Sequence, residues 1–91
     1  MTSGRYTVGL APSARRSLHT LPVKVYGAVM EFFRGPLAEN PRQVGKPLRF
    51  ELAGSYSARR GDYRIVYQID DATHMVVIER IEHRGEAYRS R

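Results

Sequence analysis

Arg59-Arg60-Gly61-Asp62-Tyr63-Arg64-Ile65-Val66-Tyr67 decides how this chain is read, and His83-Arg84-Gly85-Glu86-Ala87-Tyr88 completes it. The first stretch reads as a hairpin turn feeding a β-strand. Gly-Asp supplies the turn, and Ile and Val between tyrosines suit a pleated, half-buried surface. Side chains alternate across a strand, so Tyr63, Ile65, Tyr67 and Ile69 point one way, and Arg64, Val66 and Gln68 point the other. Arg64 is therefore expected on the face away from the apolar row. The second stretch places Arg84 and Tyr88 just after the next strand. Arginines brought together by neighbouring strands make a phosphate site, because a guanidinium group meets phosphate oxygens two at a time.

Outward from this core, strands are expected near residues 56–60, 63–69 and 75–82. Arg60-Gly61-Asp62 and Asp70-Asp71-Ala72-Thr73 form the turns between them. Upstream, Tyr6-Thr7-Val8-Gly9-Leu10 alternates like a short strand. A helix over about 12–20 starts near Pro12, where a missing N–H costs little. Leu21-Pro22 ends it and opens a second helix. There Val25, Val29, Phe32 and Phe33 recur at helical spacing, which marks a face packed on a sheet. Gly35-Pro36 and Asn40-Pro41 punctuate the end of this region. A connection through Arg42 to Pro47 follows; Leu48 to Leu52 opens the second half, and Ala53-Gly54 interrupts it. The order strand, helix, helix, meander predicts one α+β domain over residues 1–91, with the helices on one face of the sheet. Neither an internal repeat nor a low-complexity tract is present.

The charge balance narrows the partners. The net charge is +6, and thirteen of the fifteen basic residues are Arg. That bias favours bidentate contact with phosphate. Ten of the fifteen lie from Arg42 onward, so the positive field is expected on the β half, facing nucleic acid, a ribosome or an acidic protein segment. There is no cysteine, which excludes disulfides and thiolate metal sites and fits a reducing cytoplasm. No apolar run is long enough to span a bilayer, and Met1-Thr2-Ser3-Gly4-Arg5 lacks the apolar segment of a signal peptide, so no membrane role is expected. His19 and His74 have no ligand-spaced companions; neither a metal nor another cofactor is expected.

The pieces that follow carry a family resemblance over nearly the full length. They are Ala14-Arg15-Arg16-Ser17-Leu18-His19-Thr20-Leu21-Pro22, Gly35-Pro36-Leu37 with Asn40-Pro41, Gly45-Lys46-Pro47-Leu48, and Ser57 to Tyr67 with Ile69-Asp70-Asp71. In order and spacing they resemble the RelE/ParE superfamily of toxins from bacterial toxin–antitoxin pairs, and most of all the RelE-type mRNA interferases of actinobacteria. The resemblance implies a RelE-like fold, with an N-terminal strand and two helices packed on a curved antiparallel sheet and an active site on the opposite face. It implies a toxin that cleaves mRNA in the ribosomal A site without a metal. The alternative is a ParE-like toxin that inhibits DNA gyrase without catalysis.

Metal-free RNA cleavage needs a base for the 2′-hydroxyl, in-line attack, donors for the charge building on phosphate, and an acid for the departing 5′-oxygen. Arg64 and Arg84 suit the charge-stabilising role, since arginine stays protonated. The resemblance adds Arg59 and Tyr88 as active-face positions, with Tyr88 able to stack on a base or hold a proton. His83 is the group here that titrates near neutrality and is a candidate acid or base. Each has an ordinary reading beside it. An arginine on a strand is commonly solvated or ion-paired, with Asp62, Glu79, Glu82 and Glu86 as available partners. On a regular strand His83 faces away from Arg84 and reads as structural. Arg60 and Arg80 read as surface or partner-binding charges. The best-known RelE pattern carries two lysines where this chain has Ser55 and Ser57, so the general base is not given by the resemblance. Lys46, Arg49 and Arg42 are expected to bind RNA or the ribosome, and Lys46 and Arg49 can reach in from the preceding segment. A RelB-like antitoxin is the expected partner, with operator DNA contacted only through that complex.

Overall fold

The computed structural model describes residues 4–83. Strand β1, Thr7–Leu10, leads through Ala11 into helix α1, Pro12–Leu18, with proline in the first turn as anticipated. Pro22 caps helix α2, Val23–Arg34. A short helix α3, Pro36–Glu39, follows directly, started by Pro36 after Gly35. The chain then forms a two-residue strand β2, Lys46–Pro47, and a 3-10 turn, Phe50–Leu52. Three longer strands finish it: β3, Ser55–Arg60; β4, Tyr63–Asp70; and β5, Met75–His83.

The five strands form one sheet in the order β1-β5-β4-β3-β2. Consecutive strands from β2 to β5 pair antiparallel, whereas β1 runs parallel to β5, with Thr7 opposite Met75 and Leu10 opposite Ile78. The sheet is thus mostly antiparallel, with one parallel edge made possible by the helical crossover after β1. The β3–β4 turn is the two-residue loop Gly61-Asp62, and Gly61 adopts φ 60. Glycine at the first central position is what a II′ hairpin requires. In the β4–β5 turn Asp70 Oδ1 accepts from the backbone N–H groups of Ala72 (3.0 Å) and Thr73 (3.3 Å).

The core lies between the helices and one face of the sheet. Ala14 and Leu18 of α1, Val29, Phe32 and Phe33 of α2, and Leu37 of α3 meet Ala58, Ile65, Tyr67, Val76, Ile78 and Ile81 from the strands. The helical spacing of Val29, Phe32 and Phe33 accounts for the α2 side of that contact. Arg60 joins this side as well: its guanidinium carbon stands 3.7 Å from the centroid of the Phe32 ring. Its alkyl stem covers apolar surface while the charge lies on a π-face.

Candidate active site

The pleat turns alternate residues of β3, β4 and β5 toward the face without helices, and the register sets which of them meet. One cross-strand row reads Lys46, Ser57, Val66, Arg80; the next reads Arg59, Arg64, Glu82. The register shifts between Val66 and Tyr67, where Val66 opposes Arg80 and Tyr67 opposes Ile78. Glu79 is therefore the extra residue of a β-bulge on β5. Before it Val76 and Ile78 face the core; after it Ile81 does. That change of parity carries Arg80 and Glu82 onto the face of Arg64, where regular alternation from Val76 would turn them inward.

Glu82 organises this row. Arg64 donates from Nε (3.1 Å) and Nη2 (2.8 Å) to the same Glu82 oxygen, Oε1. Arg80 Nε lies 3.1 Å from the other oxygen, Oε2. This is ion-pair distance without hydrogen-bond alignment, since that buried nitrogen makes no hydrogen bond among the described residues. Arg64 also stands directly across β3–β4 from Arg59. Like charges so placed repel, and the Glu82 carboxylate offsets only part of the excess. Among the described residues no carboxylate pairs with Arg59 or Lys46. Both line a cleft of about 430 Å³ with Arg64, Ser57, Gln43 and Gly45. A cleft with two arginines and a lysine, and no acid among its described lining residues, is suited to an anion the size of a phosphodiester. Ser55, nearly buried, donates its hydroxyl to Glu79 Oε1 at 3.2 Å and is tied up by the bulge.

The wall carrying Lys46 is held by packing beneath it. Tyr67, with no accessible surface, donates its hydroxyl to the Pro41 carbonyl at 2.6 Å. Burial first, and the neighbouring Tyr56 second, push the Tyr67 hydroxyl up to about 12, so it remains a donor. Gly45 passes directly over that hydroxyl; a Cβ there would collide with it and would stand 2.7 Å from the Ser57 carbonyl oxygen. Glycine thus lets the chain approach β3 closely enough to seat Lys46 opposite Ser57.

The remaining candidates fall elsewhere. His83 is register-paired with Tyr63, packs edge-to-face on its ring at 4.8 Å, and lines a hollow with Ser17, Thr20 and Leu21 of the α1 region. It lies on the helix-bearing side of the sheet and does not join Arg59 and Arg64. Arg42 makes a bidentate pair with Asp71 (3.1 and 2.6 Å), which also accepts from the Tyr6 hydroxyl at 2.7 Å. Arg42 and then Tyr6 hold the Asp71 carboxyl at about 2. Arg49 is exposed and leads into the 3-10 turn. Arg84 and Tyr88 lie outside the described residues. Arg80 and Glu82 were legible in principle: the apolar positions of β5 switch from even (76, 78) to odd (81), and a bulge is the ordinary cause of such a switch.

Residues 9–88 match the family model described as the ParE toxin of the type II toxin–antitoxin system parDE. The chain is 55% identical over 84 residues to the RelG toxin of Mycobacterium tuberculosis, covering 92% of this chain and 97% of that one. It is 51% identical over 84 residues to the RelE toxin of the same organism, covering 92% of this chain and 87% of that one. Its fold superposes on the RelBE2 toxin–antitoxin complex of M. tuberculosis with a TM-score of 0.84 at 55% identity, over 88% of this chain and 99% of that chain.

Proposed function

This chain belongs to the RelE/ParE family of toxins from type II toxin–antitoxin systems, and from that premise we propose that it is a ribosome-dependent endoribonuclease. It cuts mRNA in the A site and so blocks translation. The observation that carries this reading is the cation-lined cleft of the open sheet face, with Arg59 opposite Arg64 and Lys46 on the same wall. Ribose supplies the nucleophile, so no Ser or Cys is needed. The 2′-oxygen attacks phosphorus, and Arg64 and Arg59 stabilise the charge on the non-bridging oxygens. Arg84 and Tyr88 are assigned to the same site by resemblance. The products are a 2′,3′-cyclic or 3′-phosphate end and a 5′-hydroxyl.

A small site built mainly of arginine orients and stabilises more than it activates. The ribosome supplies the rest by holding mRNA in attack geometry, with exposed Arg42 and Arg49 toward ribosomal RNA. Free RNA is therefore cut poorly. A RelB-type antitoxin is the partner in this reading, supported by the complex solved for the M. tuberculosis relative. Its acid would meet Arg59 and Arg64, and it would carry the contacts to operator DNA. The setting is the cytoplasm, where ribosomes and mRNA are.

Primer extension tests this on a defined mRNA, with ribosomes stalled at an empty A site, a ribosome-free control and an Arg64→Ala variant. Discrete cuts that need the ribosome and vanish in the variant are expected. Equal cutting of free RNA would overturn ribosome dependence. No cuts from a protein still toxic in cells would overturn the nuclease reading and point to gyrase.

A further inference from the structure

Resting on the nuclease reading, we propose that Lys46 is the general acid of the cleft, the group that protonates the departing 5′-oxygen. Among the described residues the lining of the cleft is Gln43, Val44, Gly45, Lys46, Ser57, Ala58, Arg59 and Arg64. Arginine does not give up a proton in a protein, so Arg59 and Arg64 stabilise charge and no more. A serine hydroxyl and an amide are poor acids. Among the described residues of this lining, Lys46 alone carries a proton that can be transferred and restored, because an ammonium that has given up its proton is a stable neutral amine.

Its placement supports the same role. Lys46 is register-paired with Ser57, so its side chain rises from the sheet edge on the face of Arg59 and Arg64. It is exposed, and no carboxylate among the described residues competes for it. Two constraints fix its backbone: Gly45 closely packed over the Tyr67 hydroxyl and Ser57 carbonyl, and Pro47 on the other side. A flexible stem on a rigid mount lets the ammonium follow the leaving oxygen through the reaction.

The step balances. The 2′-hydroxyl loses its proton to solvent water as the 2′-oxygen bonds to phosphorus. The P–O5′ bond breaks, and the 5′-oxygen takes a proton from the Lys46 ammonium. A 2′,3′-cyclic phosphate and a 5′-hydroxyl result, and water reprotonates the neutral amine.

The test uses Lys46→Arg and Lys46→Ala on stalled ribosomes, with cut sites first mapped on ordinary mRNA. Single-turnover rates are then compared for that mRNA and for one carrying sulfur in place of the 5′-bridging oxygen at the mapped linkage. A thiolate leaves without a proton, so the sulfur substrate bypasses the acid. Lys46→Arg keeps the charge and loses the transferable proton. On oxygen both variants should slow by roughly 10²–10⁴-fold, the usual contribution of a positioned acid. On sulfur Lys46→Arg should match wild type. Rates are taken with the toxin in saturating excess over ribosomes, so that a change in ribosome binding does not enter the comparison. Wild-type rates for Lys46→Arg on oxygen would mean charge suffices and would overturn the proposal, as would equal slowing on both substrates. If wild type cuts neither mRNA, the nuclease reading itself falls, which distinguishes that failure from this one.

Discussion

The two faces of one sheet, written on the same strands, differ in everything but backbone. Toward the helices, β3, β4 and β5 present Ala58, Ile65, Tyr67, Ile78 and Ile81, all buried. On the reverse they present Arg59, Arg64, Arg80 and Glu82, with Val66 buried among them in the row between Ser57 and Arg80. The period of two lets adjacent residues answer to different demands, one to burial and one to charge. Stability and activity should therefore separate by single steps along the chain.

Neighbours Ile65 and Arg64 give the sharpest contrast. Ile65 has no accessible surface, and Ile65→Ala should lower unfolding stability by about 2–5 kcal/mol in urea titration, with cutting by the folded fraction unchanged. Arg64→Ala should do the reverse: a loss of about 10²–10³ in cleavage rate, the usual cost of removing one preorganised donor, with a urea midpoint close to wild type. Parallel losses of stability and rate in both variants would mean that burial and chemistry are not divided between neighbouring residues.

Where the two faces communicate, through Tyr67, the contrast should blur. Tyr67 is a core residue whose hydroxyl supports the segment carrying Lys46. Gly45→Ala forces that segment off the sheet and should cost about 1–3 kcal/mol, an overpacking penalty, together with cleavage rate. Tyr67→Phe removes one of the colliding atoms and itself costs about 0.5–1.5 kcal/mol for the lost hydrogen bond. The double variant should be less destabilised than the sum, because the Ser57 carbonyl remains as an obstacle but the hydroxyl does not. Strict additivity would show that Gly45 is chosen for another reason.

Glu82 should matter least on the charged face. Its pair with Arg64 is partly exposed, 45% for the arginine side chain and 27% for the glutamate. Exposed pairs contribute about 0.2–1 kcal/mol, so Glu82→Gln should slow cutting by about 1.5- to 5-fold, measured on stalled ribosomes. A loss as large as that of Arg64→Ala would make Glu82 a participant in the chemistry, not an orienting group.

How far the sequence disclosed this division depends on whether each feature was local. The hairpin at Gly61-Asp62, the alternation of β4 and the apolar stripe of α2 are local, and they place Ile65 inward and Arg64 outward correctly. Val66 is the exception: alternation puts it on the polar face, and only the flanking strands explain its burial there. The bulge at Glu79 is a pairing event between β4 and β5, and regular alternation along β5 misassigns Arg80 and Glu82. The parallel pairing of β1 with β5 joins residues 7–10 to 75–78 and has no local signature. Helix α1 stops at Leu18, two residues short of the expected end, because the backbone turns at His19 and Thr20, where Thr20 Oγ1 bonds the Ser17 carbonyl at 2.8 Å.

A third region belongs to neither face, and its contribution to stability should respond to acid. Asp71, in the β4–β5 turn, ties the start of the chain to the segment after α3 through Tyr6 and Arg42. Its carboxyl sits at about 2, below the ordinary 3.8, chiefly because of Arg42. A carboxylate held below its unfolded value stabilises the fold above that value and loses its contribution as pH falls through the folded one. The loss should therefore fall between about pH 4 and pH 2. Both side chains are about half exposed, so the effect is small and weakens with salt. Melting temperatures taken from pH 5 down to pH 2 should fall more steeply for wild type than for Asp71→Asn, and the difference should shrink in 1 M salt. Identical curves would mean that the pair orders the turn without stabilising it, and that the stability of this fold is set almost wholly on the helix face.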